Sequence, residues 1–164
     1  MTIEEFNALP DDAAAAAAAV WADVPKWVSA LVAARPYPSA AALRDAAWSA
    51  APWSADEVDI ALAHHPRIGE RPAPGQQGAS DSAREQASMS SAPDDVAAAI
   101  AAGNLAYEAR FGRVFLIRAA GRSPAEILLR LRERLGNDDA TESAVVAQQL
   151  REIAVLRLEQ TVTA

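Results

Sequence analysis

The chain contains no cysteine, which removes disulfides, thiolate metal ligands and cysteine nucleophiles together. Its only histidines, His64 and His65, are adjacent and outside any HExxH-type spacing, which argues against a zinc site. Lys26 is the only lysine. Schiff-base chemistry therefore has one candidate, and the remaining basic charge is arginine, whose planar fork suits carboxylates and ureas. No apolar run approaches the ~18 residues needed to span a bilayer. Internal repeats and hairpin signals are absent too. A formal net charge of −7 argues against a nucleic-acid or anionic-membrane partner. Glu4, Glu5, Asp11 and Asp12 stand where a secretory signal would be basic, and Thr161-Val162-Thr163-Ala164 is not a peroxisomal address. The expectation is a soluble cytoplasmic protein.

What is present is mostly helix punctuation. A chain of 164 residues fits a single domain, residues 1–164, with enough interior to bury most of its apolar surface. Thr2 to Glu5, Ser54 to Glu57 and Ser123 to Glu126 are capping-box patterns that open three helices. Asp11 or Asp12 can cap a second helix running to about Trp21. Pro25 suits a first helical position and Ser39 a further cap. Pro93, followed by Asp94 and Asp95, opens a longer helix that Phe111-Gly112 closes. The helix after Ser123 is expected to reach Leu135 with Gly136 as its C-cap, and a final helix to run from about Asp139 or Thr141 to Gln160. Val114-Phe115-Leu116-Ile117 is strand-like but has no partner strand, so it reads as a buried extended connector whose backbone groups must find other partners. The fold expected is all-α: an irregular bundle of about eight short helices.

The distinctive stretch is His64-His65-Pro66-Arg67-Ile68-Gly69-Glu70. Proline disfavours the α region for the residue before it. The preceding helix should therefore end at about His64, leaving His65 on a stiff extended corner where an imidazole can titrate near neutral pH. On its own this is a helix exit. Downstream, Ser82, Glu85 and Gln86 fall within about one and a half turns of a predicted helix that ends near Ser91. Between them lies a loop, residues 67–79, with three glycines and two prolines. In the last helix Val146, Leu150, Ile153 and Arg157 follow a 4-3-4 spacing and share one stripe. Arg157 is the charged member of an apolar row. Either it snorkels to solvent near the helix end, or it points into a cleft beside the core and binds an anion.

Taken together, these stretches resemble the 2-oxo-4-hydroxy-4-carboxy-5-ureidoimidazoline (OHCU) decarboxylase family, which completes urate breakdown to (S)-allantoin. The resemblance rests on His65-Pro66-Arg67-Ile68-Gly69-Glu70, on Ser82 with Glu85-Gln86, and on Asn104 through Gly112. It continues in Phe115-Leu116-Ile117 and Glu152 through Leu158. It implies an all-helical homodimer that decarboxylates OHCU without cofactor or metal. It also implies that His65 is the catalytic histidine and Glu85 its acidic partner. Pro66, Ser82, Gln86 and Arg157 would bind substrate, with backbone amides of Phe115, Leu116 and Ile117 completing the pocket. Two other readings compete: a non-catalytic helical dimerisation or regulatory module, and a ureide hydrolase that uses His65 and Glu85 to activate water.

Overall fold

The computed structural model describes residues 1–50, 53–63, 65–70 and 86–163. Among these it is all-α, with eight α-helices and a short 3-10 helix. The helices are α1 (Ile3–Ala8), α2 (Asp11–Trp21), α3 (Pro25–Ala33), α4 (Ala40–Ser49), α5 (Ala55–Leu62), α6 (Asp94–Phe111), α7 (Pro124–Arg134) and α8 (Asp139–Thr161), with the 3-10 turn at Ala87–Ser91. Packing divides the chain into two compact units, Met1–Ala61 with Leu150–Ala164, and Leu62–Gln149. No helix among the described residues is long and apolar enough to cross a membrane.

Local sequence sets most helix starts. The capping boxes at Thr2 and Ser123 form with both of their reciprocal hydrogen bonds, and the Ser54–Glu57 pair does likewise. Ser39 caps α4 and Pro25 sits in the first turn of α3. Gly112 ends α6 in the left-handed region at φ +67, where a residue without Cβ is not strained. Three expectations need correcting. Pro10 takes the N-cap position of α2, so Asp11 and Asp12 lie inside its first turn. There they face the positive end of the helix dipole. Helix α7 stops at Arg134 with Leu135 as cap, and Gly136 folds back through its N–H to the Glu133 carbonyl, with no positive φ. Helix α5 ends at Leu62, two residues earlier than the proline argument sets it.

In the first unit, Phe6 and Trp21 meet with ring centroids 5.4 Å apart. Arg35 closes the end of α1 by donating to the Phe6 and Leu9 carbonyls at 2.9 and 2.7 Å. Trp21, Trp27 and Trp53 are buried, whereas Trp48 is exposed and carries Arg151 over its face at 3.9 Å. The chain ends meet here as well, with the Ile3 N–H donating to the Thr163 carbonyl at 3.1 Å. Nothing in the sequence pattern forecasts that pairing, because one isolated bridge leaves no periodicity.

The second unit is built on one apolar cluster of Ile68, Ile100, Tyr107, Phe115, Ile117, Ala119, Ile127 and Leu131. Helices α6 and α7 supply its two walls. They approach closely because Gly103 has no Cβ: one placed there would lie 2.5 Å from Leu131 Cδ2. Phe115, Leu116 and Ile117 cross this core in a non-helical segment and are all buried.

Candidate active site

The His-Pro corner is fastened by three successive residues, two of them to α6. The His65 N–H donates to the Leu62 carbonyl at 3.0 Å, closing the turn that leaves α5. His65 and Pro66 themselves are half-buried. Arg67 then extends a bidentate fork to Glu108, Nε to Oε1 at 2.5 Å and Nη2 to Oε2 at 2.7 Å. That geometry joins specificity of orientation to charge-assisted bonding. The Arg67 guanidinium holds the Glu108 carboxyl below the usual carboxylate range, and the two neighbouring carboxylates push Arg67 up. Ile68 inserts into the core, and its carbonyl accepts from Asn104 Nδ2 at 3.0 Å. Gly69, at φ +85, turns the chain so that its N–H meets Gln86 Oε1 at 2.8 Å.

Asn104, Tyr107 and Glu108 occupy positions i, i+3 and i+4 of α6 and so share one side of it. Two of them hold the corner directly. A cavity of about 230 Å³ lies beside it, lined by Ile68, Gly69, Met89, Ile100, Asn104 and Leu105 among others. Among the described residues the buried Asn104 Oδ1 has no hydrogen-bond partner. Among the described residues no group of three or more His, Asp or Glu side chains is placed to hold a metal ion.

The other expected site residues divide as follows. Gln86 is joined to the corner through Gly69, and the segment from Ala87 to Ser91 is a 3-10 turn instead of a continuing α-helix. Ser82 and Glu85 lie outside the described residues, as do His64 and most of the predicted loop. The connector Phe115–Ile117 belongs to the same unit as His65. Its Leu116 carbonyl accepts from Arg134 Nη1 at 2.6 Å, and the neighbouring Arg118 N–H donates to Gln149 Oε1 at 2.9 Å. Arg157 belongs to the first unit and is buried, 7% exposed, so its guanidinium is not spread into solvent as snorkelling requires.

Sequence reasoning missed the residues that hold this site in place. Arg134 and Glu142 form a buried ion pair, with side chains 8% and 0% exposed. Tyr107 donates its hydroxyl to the same Glu142 oxygen, and Asn137 Nδ2 binds the other at 2.8 Å. Burial, and then the Glu142 contact, push the Tyr107 hydroxyl pKa well up. The available signal was spacing: Ile127, Leu131 and Arg134 repeat on α7 the apolar stripe that drew attention to Arg157 on α8.

The OHCU decarboxylase family model matches residues 7–159. The chain belongs to the OHCU decarboxylase family. Among curated relatives, the uric acid degradation bifunctional protein TTL of Arabidopsis thaliana is 35% identical over 103 residues, 60% of this chain and 31% of that protein. The 2-oxo-4-hydroxy-4-carboxy-5-ureidoimidazoline decarboxylase of Amia calva is 45% identical over 56 residues, 34% of this chain and 32% of that protein. Each match thus spans about a third of the relative's length. Among solved structures, a crystal structure of OHCU decarboxylase in the presence of (S)-allantoin aligns at TM-score 0.68 and 22% identity, covering 86% of this chain and 93% of that one. A crystal structure of (S)-allantoin synthase aligns at TM-score 0.73 and 18% identity, covering 99% and 54%. At these identities the two structures speak for a shared fold.

Proposed function

We propose that the protein decarboxylates OHCU to (S)-allantoin in urate catabolism. The observation that carries this reading is the family match, which runs from residue 7 to 159 and so takes in the His-Pro corner, the connector and Arg157. The pinned geometry of the corner supports it. A proton-handling imidazole is useful only if its backbone is held, and Arg67, Ile68 and Gly69 are each anchored directly after His65-Pro66.

The chemistry suits this residue set. OHCU carries a hydroxyl and a carboxylate on one ring carbon beside a C=N bond. When CO2 leaves, its electron pair flows into that C=N, so the substrate is its own electron sink and no cofactor is required. The protein must hold the carboxylate perpendicular to the ring and manage one proton; positioning of this kind contributes several kcal/mol. In the reading proposed here, His65 polarises the hydroxyl or delivers a proton to one face of the resulting enamine carbon, which fixes the S configuration. General acid–base help of this type is worth about 10²–10⁴-fold. Glu85 orients the imidazole or accepts hydrogen bonds from ureido N–H groups, and Pro66 and Ser82 bind substrate. Gln86 has its carbonyl oxygen engaged by Gly69, which leaves its amide N–H groups for the substrate. Arg157 takes a carbonyl of the ring or ureido group, because a strong clamp on the carboxylate would stabilise the ground state and oppose reaction. The residues 1–164 act as one catalytic domain, as a homodimer in the cytoplasm, with family resemblance as the support for the assembly.

The decisive experiment supplies fresh OHCU, generated in place from urate, and follows CO2 release and the optical activity of the allantoin formed. Stereoselective (S)-allantoin formation, lost in His65→Asn with an intact helical spectrum, is the expected result. Ammonia or urea release would indicate a hydrolase, and no turnover a non-catalytic module.

A further inference from the structure

The connector that crosses the core is held at two points, one on each side of Ile117. Arg134 Nη1 binds the Leu116 carbonyl at 2.6 Å, and Gln149 Oε1 receives the Arg118 N–H at 2.9 Å. Arg134 cannot swing away. Its Nε and Nη2 are tied to Glu142 Oε1 at 2.8 and 2.5 Å, and its guanidinium lies 4.6 Å from the Phe115 ring centroid. Glu142 is fixed in turn by Tyr107 and Asn137.

A carbonyl oxygen and the next residue's N–H lie on opposite edges of one planar peptide unit. The Leu116–Ile117 bond is trans: among the described residues the cis bond is Arg35–Pro36. Binding the Leu116 carbonyl to Arg134 therefore turns the Ile117 N–H to the opposite side. Among the described residues that N–H makes no hydrogen bond, although Ile117 is only 6% exposed. A buried amide left without an acceptor costs free energy unless something supplies one.

We propose that Arg134, locked by Glu142 and Tyr107, is a positioning residue: by holding the Leu116 carbonyl it aims the Ile117 N–H at a carbonyl oxygen of the ureide substrate. This rests on the functional reading given above. Arg134 touches no substrate itself. It acts through one peptide plane and sets how strongly the connector binds ureide carbonyls in ground state and transition state alike. Its loss should therefore appear in KM and leave kcat nearly unchanged.

The test compares wild type with Arg134→Lys and, as a gentler perturbation that keeps the side-chain shape, Glu142→Gln. Lysine retains the charge but cannot reach the carbonyl and the carboxylate at once with a planar fork. Kinetics are taken well below each variant's melting temperature, so that only folded protein is compared. The expected result is a KM for OHCU raised about 10-fold or more with kcat within about 3-fold, the loss of one hydrogen bond to substrate. In parallel, (S)-allantoin added to 15N-labelled wild-type protein shifts the Ile117 amide resonance, and the shift shrinks in both variants. Unchanged KM and an unchanged Ile117 shift in folded variants would overturn the proposal, since a merely structural pair lowers melting temperature alone. A wild-type chain that neither turns over OHCU nor binds (S)-allantoin would instead refute the functional reading, and that outcome is seen before any variant is made.

Discussion

Gly103 sets the distance between the helix that holds the His-Pro corner and the helix that holds the connector, and Gly103→Ala measures how tightly. Helix propensity alone favours alanine by about 1 kcal/mol. Against it, the new Cβ would lie 2.5 Å from Leu131 Cδ2 and 3.1 Å from Cγ, where carbon atoms prefer about 3.5–4.0 Å. Leu131 is fully buried among Ile127, Tyr107 and their neighbours, so relief requires moving α7 or forcing a rotamer. Overpacking of this kind costs about 1–3 kcal/mol, so the clash outweighs the propensity gain and the net change is a destabilisation of roughly 0–2 kcal/mol. Leu131→Ala alone should cost about 2–5 kcal/mol by leaving a cavity. In the double variant the alanine at 103 partly fills that cavity, and the loss should fall short of the sum by at least ~1 kcal/mol. Urea unfolding of the four proteins gives the cycle directly. If Gly103→Ala stabilises by the full propensity gain and shows no coupling to Leu131, close packing is not why glycine stands there.

The buried pair makes a second expectation. Glu142→Ala should destabilise by about 3–5 kcal/mol because it strands the Arg134 charge, lowering the melting temperature by roughly 6–20 °C in calorimetry. Glu142→Leu with Arg134→Met should recover only part of this, since the Leu116 carbonyl and Tyr107 hydroxyl lose their partners; full recovery would mean those two bonds contribute nothing. A third concerns alkaline pH. Tyr107, fully buried beside Glu142, has its pKa raised in the fold, so the folded state keeps a proton that the unfolded chain releases. That stability is present in full below about pH 10, the ordinary tyrosine value, and is lost as pH climbs through the raised one. The loss is up to about 1.4 kcal/mol per pH unit. Burial gives Tyr37 the same sign, so Tyr107→Phe should flatten, without abolishing, the fall in urea midpoint above pH 10; an unchanged slope would refute the assignment.

Features written in neighbouring residues were legible. A capping box needs only a serine or threonine and a glutamate three residues on, and those at Thr2, Ser54 and Ser123 all form. The connector was recognisable because an apolar tetrapeptide with no partner strand has to be non-helical. The errors came where a distant or competing partner decided. Gly136 resembled a left-handed cap, but its N–H reaches the Glu133 carbonyl without one. Asp11 and Asp12 each resembled an N-cap, but Pro10, with φ already fixed, starts α2 instead. The His-Pro corner was visible in sequence, while the fork that fastens it joins Arg67 to Glu108, 41 residues away, and no local pattern encodes that distance.

Three helices carry a polar or charged side chain on the stripe that faces the core: Asn104 on α6, Arg134 on α7 and Arg157 on α8. They are 4%, 6% and 7% exposed. Burying such groups is costly unless each is given partners, so a helix stripe that breaks from apolar to polar marks a place where the backbone of another segment requires a donor. For Asn104 that segment is the His-Pro corner, through the Ile68 carbonyl, and for Arg134 it is the connector, through the Leu116 carbonyl. Both recipients are non-helical segments, whose carbonyls have no i+4 N–H of their own to accept from and take a side-chain donor instead. Only Arg157 was singled out from sequence, because a guanidinium among Val146, Leu150 and Ile153 is conspicuous. The same test applied to Ile127, Leu131 and Arg134 would have found the second one, and with it the residue that fixes the connector.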